Sequence, residues 1–261
     1  MSINLLLRRV VLSVLLLFFF AGCSTTTQVV PSSLPLRIGV CDLPPLVYRV
    51  GGEYLGAEAD MARLLGKSLD RPVQFIHRRF DDLIPSILAG EIDIIMAGMT
   101  VTEEKQVRID FSDHYLKTGL AMAIRSDNIR EFDSLPKILD NARAVGVVKG
   151  SVAEAYVRRN FPTNMRVLLL GKPSDAVFEL KTRRIDVFVD GAPSIAWVVS
   201  SNAAGVHGFF EPMTVDYYGW GINKRNLEFL SQVNAVLAQW KKDGTLEGIL
   251  RRWLPYLKNY K

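Results

Sequence analysis

From residue 36 onward, short apolar runs of strand type alternate with stretches whose apolar positions recur at helical spacing. Strand-like runs at 36–40, 73–76 and 92–96 bracket helical ones at 57–68 and 80–88. Apolar positions at i, i+3 and i+4 mark a helix that buries one stripe, and a continuous apolar run marks a strand buried on both faces. This βαβα rhythm predicts an α/β fold in which a mainly parallel sheet carries helices on both faces. The same rhythm restarts at 144–148, 151–160, 166–169, 174–181 and 185–189. Two further extended runs, 119–126 and 215–222, fall where the chain would pass from one half to the other, and an amphipathic helix follows at 226–242. Two lobes joined by two crossing segments satisfy this pattern, and so do two tandem domains.

Residues 80–115 carry the densest sequence of signals. Ala89-Gly90 ends a helical run, the strand-like 92–96 follows with Asp93 as its one interruption, and Ala97-Gly98-Met99-Thr100 exposes backbone before the helix start at Thr102-Glu103-Glu104. A loop at the carboxyl end of a parallel strand that feeds a helix N-terminus is where open α/β sheets bind ligands. Free N–H groups and the helix dipole favour an anion there, and Lys105 adds a full positive charge. Lys149-Gly150-Ser151 repeats the strand-to-helix arrangement in the second half.

The N-terminus reads as an export signal. Arg8 and Arg9 precede the apolar run 10–20, which ends in Ala21-Gly22-Cys23. That run is shorter than the ~20 residues needed to span a bilayer. The Ala-Gly-Cys ending resembles a bacterial lipobox, which implies a signal peptide over 1–22 and lipidation of Cys23; an ordinary cleaved signal and an uncleaved anchor are the alternatives. Residues 23–35 are polar, low in complexity and contain Pro, as a flexible tether does. Only Cys23 and Cys41 occur, so a lipidated Cys23 leaves Cys41 without a disulfide partner. The formal charge of +5 loses the contribution of Arg8 and Arg9 on signal cleavage, and the mild excess left is spread along the chain. It gives no nucleic-acid signature, and no spacing of His, Cys, Asp or Glu marks a metal or cofactor site.

AGMTVTEEKQVRIDFSDHY, residues 97–115, resembles the signature of the family 3 periplasmic solute-binding proteins, which mostly serve amino-acid ABC importers. Further matching pieces follow in order: Ile38-Gly39-Val40 with Pro44-Pro45, Gly51-Gly52, GAEADMA at 56–62, VGVVKGS at 145–151, IDVFVD at 185–190 and residues 234–254. The resemblance implies a two-lobed, type II periplasmic-binding-protein-like fold with a two-segment hinge. Lobe 1 would be discontinuous, over 36–123 and 219–261, and lobe 2 would span 124–218. The implied partners are a small amino-acid-like ligand and an ABC permease, with a monomer tethered outside the cytoplasm by lipid.

The resemblance also assigns site residues. Lys105 stands where most members place an Arg that grips the ligand carboxylate, with Gly98 and Thr100 as nearby donors and acceptors. Lys is a point charge on a flexible stem where Arg is a planar fork, so the carboxylate end departs from the family pattern. Asp190 would accept the ligand ammonium, Asp42 would supply a second acceptor, and Phe80 would wall the side chain. Ser151 would meet the ligand from the second lobe, although Val152 replaces a second hydroxyl. Each has a plain structural alternative: a surface Lys105, a helix-capping Asp190 or Ser151, and a core Phe80. No catalytic residue is assigned. A periplasmic cyclohexadienyl or arogenate dehydratase and a tethered solute sensor are the competing functions. Among His77, His114 and His207, His114 is the most suggestive, because it occupies a position that is usually Pro.

Overall fold

The computed structural model describes residues 34–256. The segment read as a signal peptide, and with it Cys23, lies outside the described residues, as does all of the tether but Leu34 and Pro35. Two five-stranded sheets organise the rest.

The first sheet has the order Val73–His77, Leu36–Val40, Ile94–Ile95, Gly221–Ile222 and Asp110–Phe111. Its first three strands are parallel, and Gly221–Ile222 runs antiparallel to both neighbours. The second sheet has the order Arg166–Leu170, Ala144–Val148, Val187–Gly191, Leu120–Arg125 and Val206–Phe209. Here too the first three strands are parallel and the last two pairings antiparallel. Both sheets are therefore mixed, with the expected parallel strands at one side. Leu36, Ile38, Val40, Val145, Val147, Val187 and Val189 are buried because helices cover both faces.

The helices Ala57–Ser68, Val152–Asn160, Asp175–Lys181 and Leu227–Asp243 fall where the apolar spacing places them. Two elements differ from expectation. The run 92–96 contributes only Ile94–Ile95 as strand, although the Asp93 and Met96 N–H groups still donate to the Arg37 and Gly39 carbonyls at 2.8 and 3.0 Å. The Asp93 carboxylate accepts the Arg37 backbone N–H at 3.0 Å and the Arg37 and Arg71 guanidiniums at 2.6 and 3.0 Å. The run 80–88 opens as a 3₁₀ turn, Phe80–Asp82, before the α-helix Leu83–Leu88.

The chain crosses between the sheets twice. Leu116–Thr118 pairs antiparallel with Asp216–Tyr218 to form a ribbon that connects them. Leu120–Arg125, expected within a crossing run, is already a strand of the second sheet, paired along both edges. After the return crossing, Trp220, Ile222, Phe229, Val233, Leu237 and Trp240 join the core built on Leu36, Ile38 and Ile94. The second sheet carries one apolar cluster on each face. Phe80 packs against the core of the first sheet and against one cluster of the second, so it sits where the two halves meet.

Candidate functional site

A cleft of about 430 Å³, open mouth included, lies between the two sheets and beside the ribbon. From the first half, Leu43, Phe80, Gly98 and Thr100 line it. Gly98 has φ +61°, and a Cβ there would come within 2.6 Å of Leu43 and Leu46, so only glycine fits. Its N–H donates to the buried Glu58 carboxylate at 2.6 Å, and the Tyr115 hydroxyl donates to the other Glu58 oxygen at 2.9 Å. Burial pushes the Glu58 carboxyl up to about 7, against the pull of those two donors. Thr100 is buried and bridges the ribbon at Tyr218.

From the second half come Val148, Ser151, Val152, Asp190, Gly191 and Ser194. Asp190 is not a residue after the strand but part of it, opposite Ala121, and only 7% of it is exposed. One carboxylate oxygen accepts the Gly191 N–H at 2.9 Å, while Oδ2 has no hydrogen-bond partner. Burial raises the Asp190 carboxyl to about 6, opposed by the Gly191 N–H and the Ser194 hydroxyl. A buried carboxylate oxygen without a partner is costly unless a cation or donor reaches it.

The ribbon completes the wall with Asp216 and Tyr218. The Thr214 hydroxyl donates to Asp216 at 2.6 Å. Burial raises the Asp216 carboxyl, and Lys105 opposes that rise. Tyr218 is buried, and both burial and the charges of Asp190 and Asp216 keep its phenol protonated. A Cβ on Gly191 would lie 2.1 Å from the Tyr218 hydroxyl, so glycine is what lets the two elements meet.

Five of the seven residues proposed from sequence thus line one cleft: Phe80, Gly98, Thr100, Ser151 and Asp190. Lys105 and Asp42 do not. Lys105 donates from Nζ to the Thr100 carbonyl at 3.1 Å, and burial lowers its ammonium to about 8 although Glu104 and Asp216 pull it back up. Asp42 instead faces His77 and Lys172, each at 3.7 Å. Ser151 also caps its helix, accepting the Glu154 N–H at 3.2 Å while Glu154 accepts the Gly150 N–H at 2.9 Å. None of the three His residues lines the cleft, and His114 stacks on Tyr217 at 4.7 Å. Asp216 and Tyr218 escaped the sequence reading because 215–222 resembles a plain connecting strand; an Asp within an otherwise apolar and aromatic run was the available signal.

At the rim, Lys149 of the second half pairs with Asp81 of the first at 2.7 Å, and Tyr48 packs on Trp197 with ring centres 5.2 Å apart.

The sequence model of the bacterial extracellular solute-binding proteins, family 3, matches residues 36–256. Among curated relatives, the ABC transporter arginine-binding protein 1 of Escherichia coli (strain K12) is 27% identical over 228 residues, covering 84% of this chain and 90% of the relative. Among solved structures, an ancestral arginine-binding protein bound to arginine superposes with a TM-score of 0.78 at 33% identity, over 84% of this chain and 98% of that one. The ancestral amino acid-binding protein AncCDT-1, a precursor of cyclohexadienyl dehydratase, gives the same TM-score of 0.78 at 30% identity, over 84% and 95%.

Proposed function

Since this chain belongs to the bacterial extracellular solute-binding proteins, family 3, we propose that it captures an amino acid in the cleft between its two lobes and hands it to an ABC importer. The observation that carries this reading is Asp190: a buried carboxylate on the second sheet, one oxygen unpartnered, facing a cleft whose other wall holds Thr100, Gly98 and Phe80. An amino acid offers an ammonium for Asp190, an apolar stem for Phe80 and Leu43, and a carboxylate for the hydroxyls of Thr100, Ser151 and Tyr218. The arginine-binding relatives support the ligand class. In this reading lobe 1 is built on the first sheet and lobe 2 on the second, which includes the strand Leu120–Arg125, and the lobes close on the solute by hinge motion.

A thermal-shift screen of the proteinogenic amino acids tests the proposal. A ligand at 100 times its Kd stabilises by about 2.7 kcal/mol, which raises the melting temperature of a chain this size by roughly 5–10 °C. Asp190→Ala strands the ligand ammonium and should abolish the shift, a loss of about 3–5 kcal/mol. If no amino acid stabilises the wild type, the proposal fails.

The signal at 1–22 and the Ala21-Gly22-Cys23 ending further support export and lipid anchoring through Cys23. Two acyl chains suffice for stable attachment. Labelled palmitate should enter the wild type and not Cys23→Ser, which should leave the membrane fraction.

A dehydratase reading draws on the likeness to AncCDT-1 and on Asp190, an acid raised to about 6 beside a neutral Tyr218. Consumption of prephenate by the purified chain, abolished in Asp190→Asn, would favour it over transport.

A further inference from the structure

Glu58 lies behind the cleft wall, in the first turn of the helix Ala57–Ser68, and is fully buried. Three segments that form the wall meet on it. Its carboxylate accepts the Gly98 N–H at 2.6 Å and the Tyr115 hydroxyl at 2.9 Å. The Tyr115 backbone N–H in turn donates to the Tyr218 carbonyl at 3.0 Å. The Glu58 N–H donates to the Leu46 carbonyl at 2.8 Å, and the Leu46 N–H donates to the Leu43 carbonyl at 2.9 Å. Gly98, Tyr218 and Leu43 all line the cleft. A further donor, the buried Trp220 indole N–H, has no hydrogen-bond partner, and its nearness favours the ionised carboxyl.

A backbone N–H only donates, and an ionised carboxylate accepts every donor aimed at it. Such charge-assisted bonds are the shorter and stronger kind. A protonated carboxyl has to place its own O–H among these donors, so one of the bonds to the wall is lost or reversed. The titratable groups that face Glu58 are the Cys41 thiol and the Tyr115 and Tyr218 phenols, and burial raises all three, which keeps them neutral. No cation among the described residues pairs with Glu58. Asp190, across the cleft, acts on the same Cys41 and Tyr218, and Asp42 acts on Cys41. An ammonium seated on Asp190 therefore also favours the ionised Glu58. We propose that Glu58 is a positioning residue of the cleft: its ionised form fixes Gly98 and Tyr115 in the binding arrangement, so solute binding and loss of its proton favour each other. The proposal rests on the reading of this cleft as the amino-acid site. Affinity then strengthens as pH rises through about 7, where burial places this carboxyl.

Calorimetric titration of the full chain in detergent with L-arginine and L-glutamine, at pH 6 and pH 7.5, tests this. The ionised, binding-competent fraction rises roughly eightfold between those values, and apparent affinity rises with it. Asp190 and Lys105 titrate near the same range, so the reference is Glu58→Gln, which keeps an acceptor for Gly98 and has no proton to lose. Wild-type affinity should gain about eightfold more than that of the variant. Tyr115→Phe takes one donor from the ion, so the midpoint of the pH dependence should move to higher pH. A packing role alone leaves that midpoint in place. Equal pH dependence in wild type and Glu58→Gln overturns the proposal while leaving the amino-acid reading intact. So does an unmoved midpoint in Tyr115→Phe, which decides the matter if Glu58→Gln fails to fold. Hydrogen exchange of the ligand-free chain adds an arm that needs no solute. Protection of the Gly98 amide, relative to its intrinsic rate, should rise from pH 6 to 7.5 in the wild type and stay flat in Glu58→Gln. Protection that is flat in both overturns the proposal. If neither solute binds, and the screen of the other amino acids is also silent, the amino-acid reading falls and exchange alone decides the role of Glu58.

Discussion

At the scale of single residues, the site is governed by carboxylates held in unfavourable surroundings. Glu58 is fully buried, and burial lifts it from its ordinary value of 4.5 to about 7. The folded chain therefore keeps a proton that the unfolded chain releases between about pH 4.5 and 7. A raised acid of this kind makes folding stability fall as pH rises through that window, by about 1.4 kcal/mol per pH unit at most. Asp190 acts in the same sense between its ordinary 3.8 and about 6. Glu58→Gln removes the first contribution alone, so the melting temperature of the wild type, measured against the variant from pH 4.5 to 7, should drop progressively. A constant difference would mean that Glu58 titrates normally. The sequence showed Asp190 and Gly98 because each stands in a matching motif. It did not show the partnership of Glu58, Gly98 and Tyr115, because residues 40 and 57 positions from Glu58 meet only in the fold.

At the scale of elements, helices and their starts were the most legible features. Thr102 and Ser151 both cap as read, with the side chains accepting the Lys105 and Glu154 N–H groups. Ser151 nevertheless lines the cleft as well, so capping and ligand contact compete for one hydroxyl. Ser151→Ala should cost about 1 kcal/mol through the lost cap, or roughly 2–4 °C in melting temperature. A calorimetric affinity unchanged in that variant would assign Ser151 to the helix alone, and a tenfold loss would assign it to the ligand. Strand ends were less legible. The run 92–96 keeps only Ile94–Ile95 as strand, and Asp93 beside it binds Arg37 and Arg71, partners distant in sequence. The strand 187–191 runs past Asp190 because its neighbour Leu120–Arg125 offers paired backbone as far as Gly191.

At the scale of the whole molecule, the Lys149–Asp81 and Lys172–Asp42 pairs and the packing of Tyr48 on Trp197 join the two halves across the cleft. The Lys149–Asp81 pair is half exposed on the lysine side, and its hydrogen bond lowers the Asp81 carboxyl below the usual range. Exposed pairs contribute about 1 kcal/mol or less. Lys149→Ala should therefore weaken ligand affinity by no more than about fivefold, and the loss should shrink in titrations at high salt. Tyr48 on Trp197 bridges the same opening, so ligand-dependent closure should alter tryptophan emission, and Trp197→Phe should remove most of that signal.

The sequence by itself determined the kind of molecule this is. Periodicity places the helices and the parallel strands, because which face an element buries is a local property of spacing. Ordered motifs place the family, and with it the loop at 97–100 and the strand end at Asp190. The tertiary structure decided what the cleft presents to a ligand. It set Lys105 behind the wall on the Thr100 carbonyl and Asp42 opposite His77 and Lys172, and it brought in Asp216 and Tyr218 from a segment read only as a connector. Charge acts through space, so its balance in a cleft depends on which side chains are neighbours, and a linear chain does not state that.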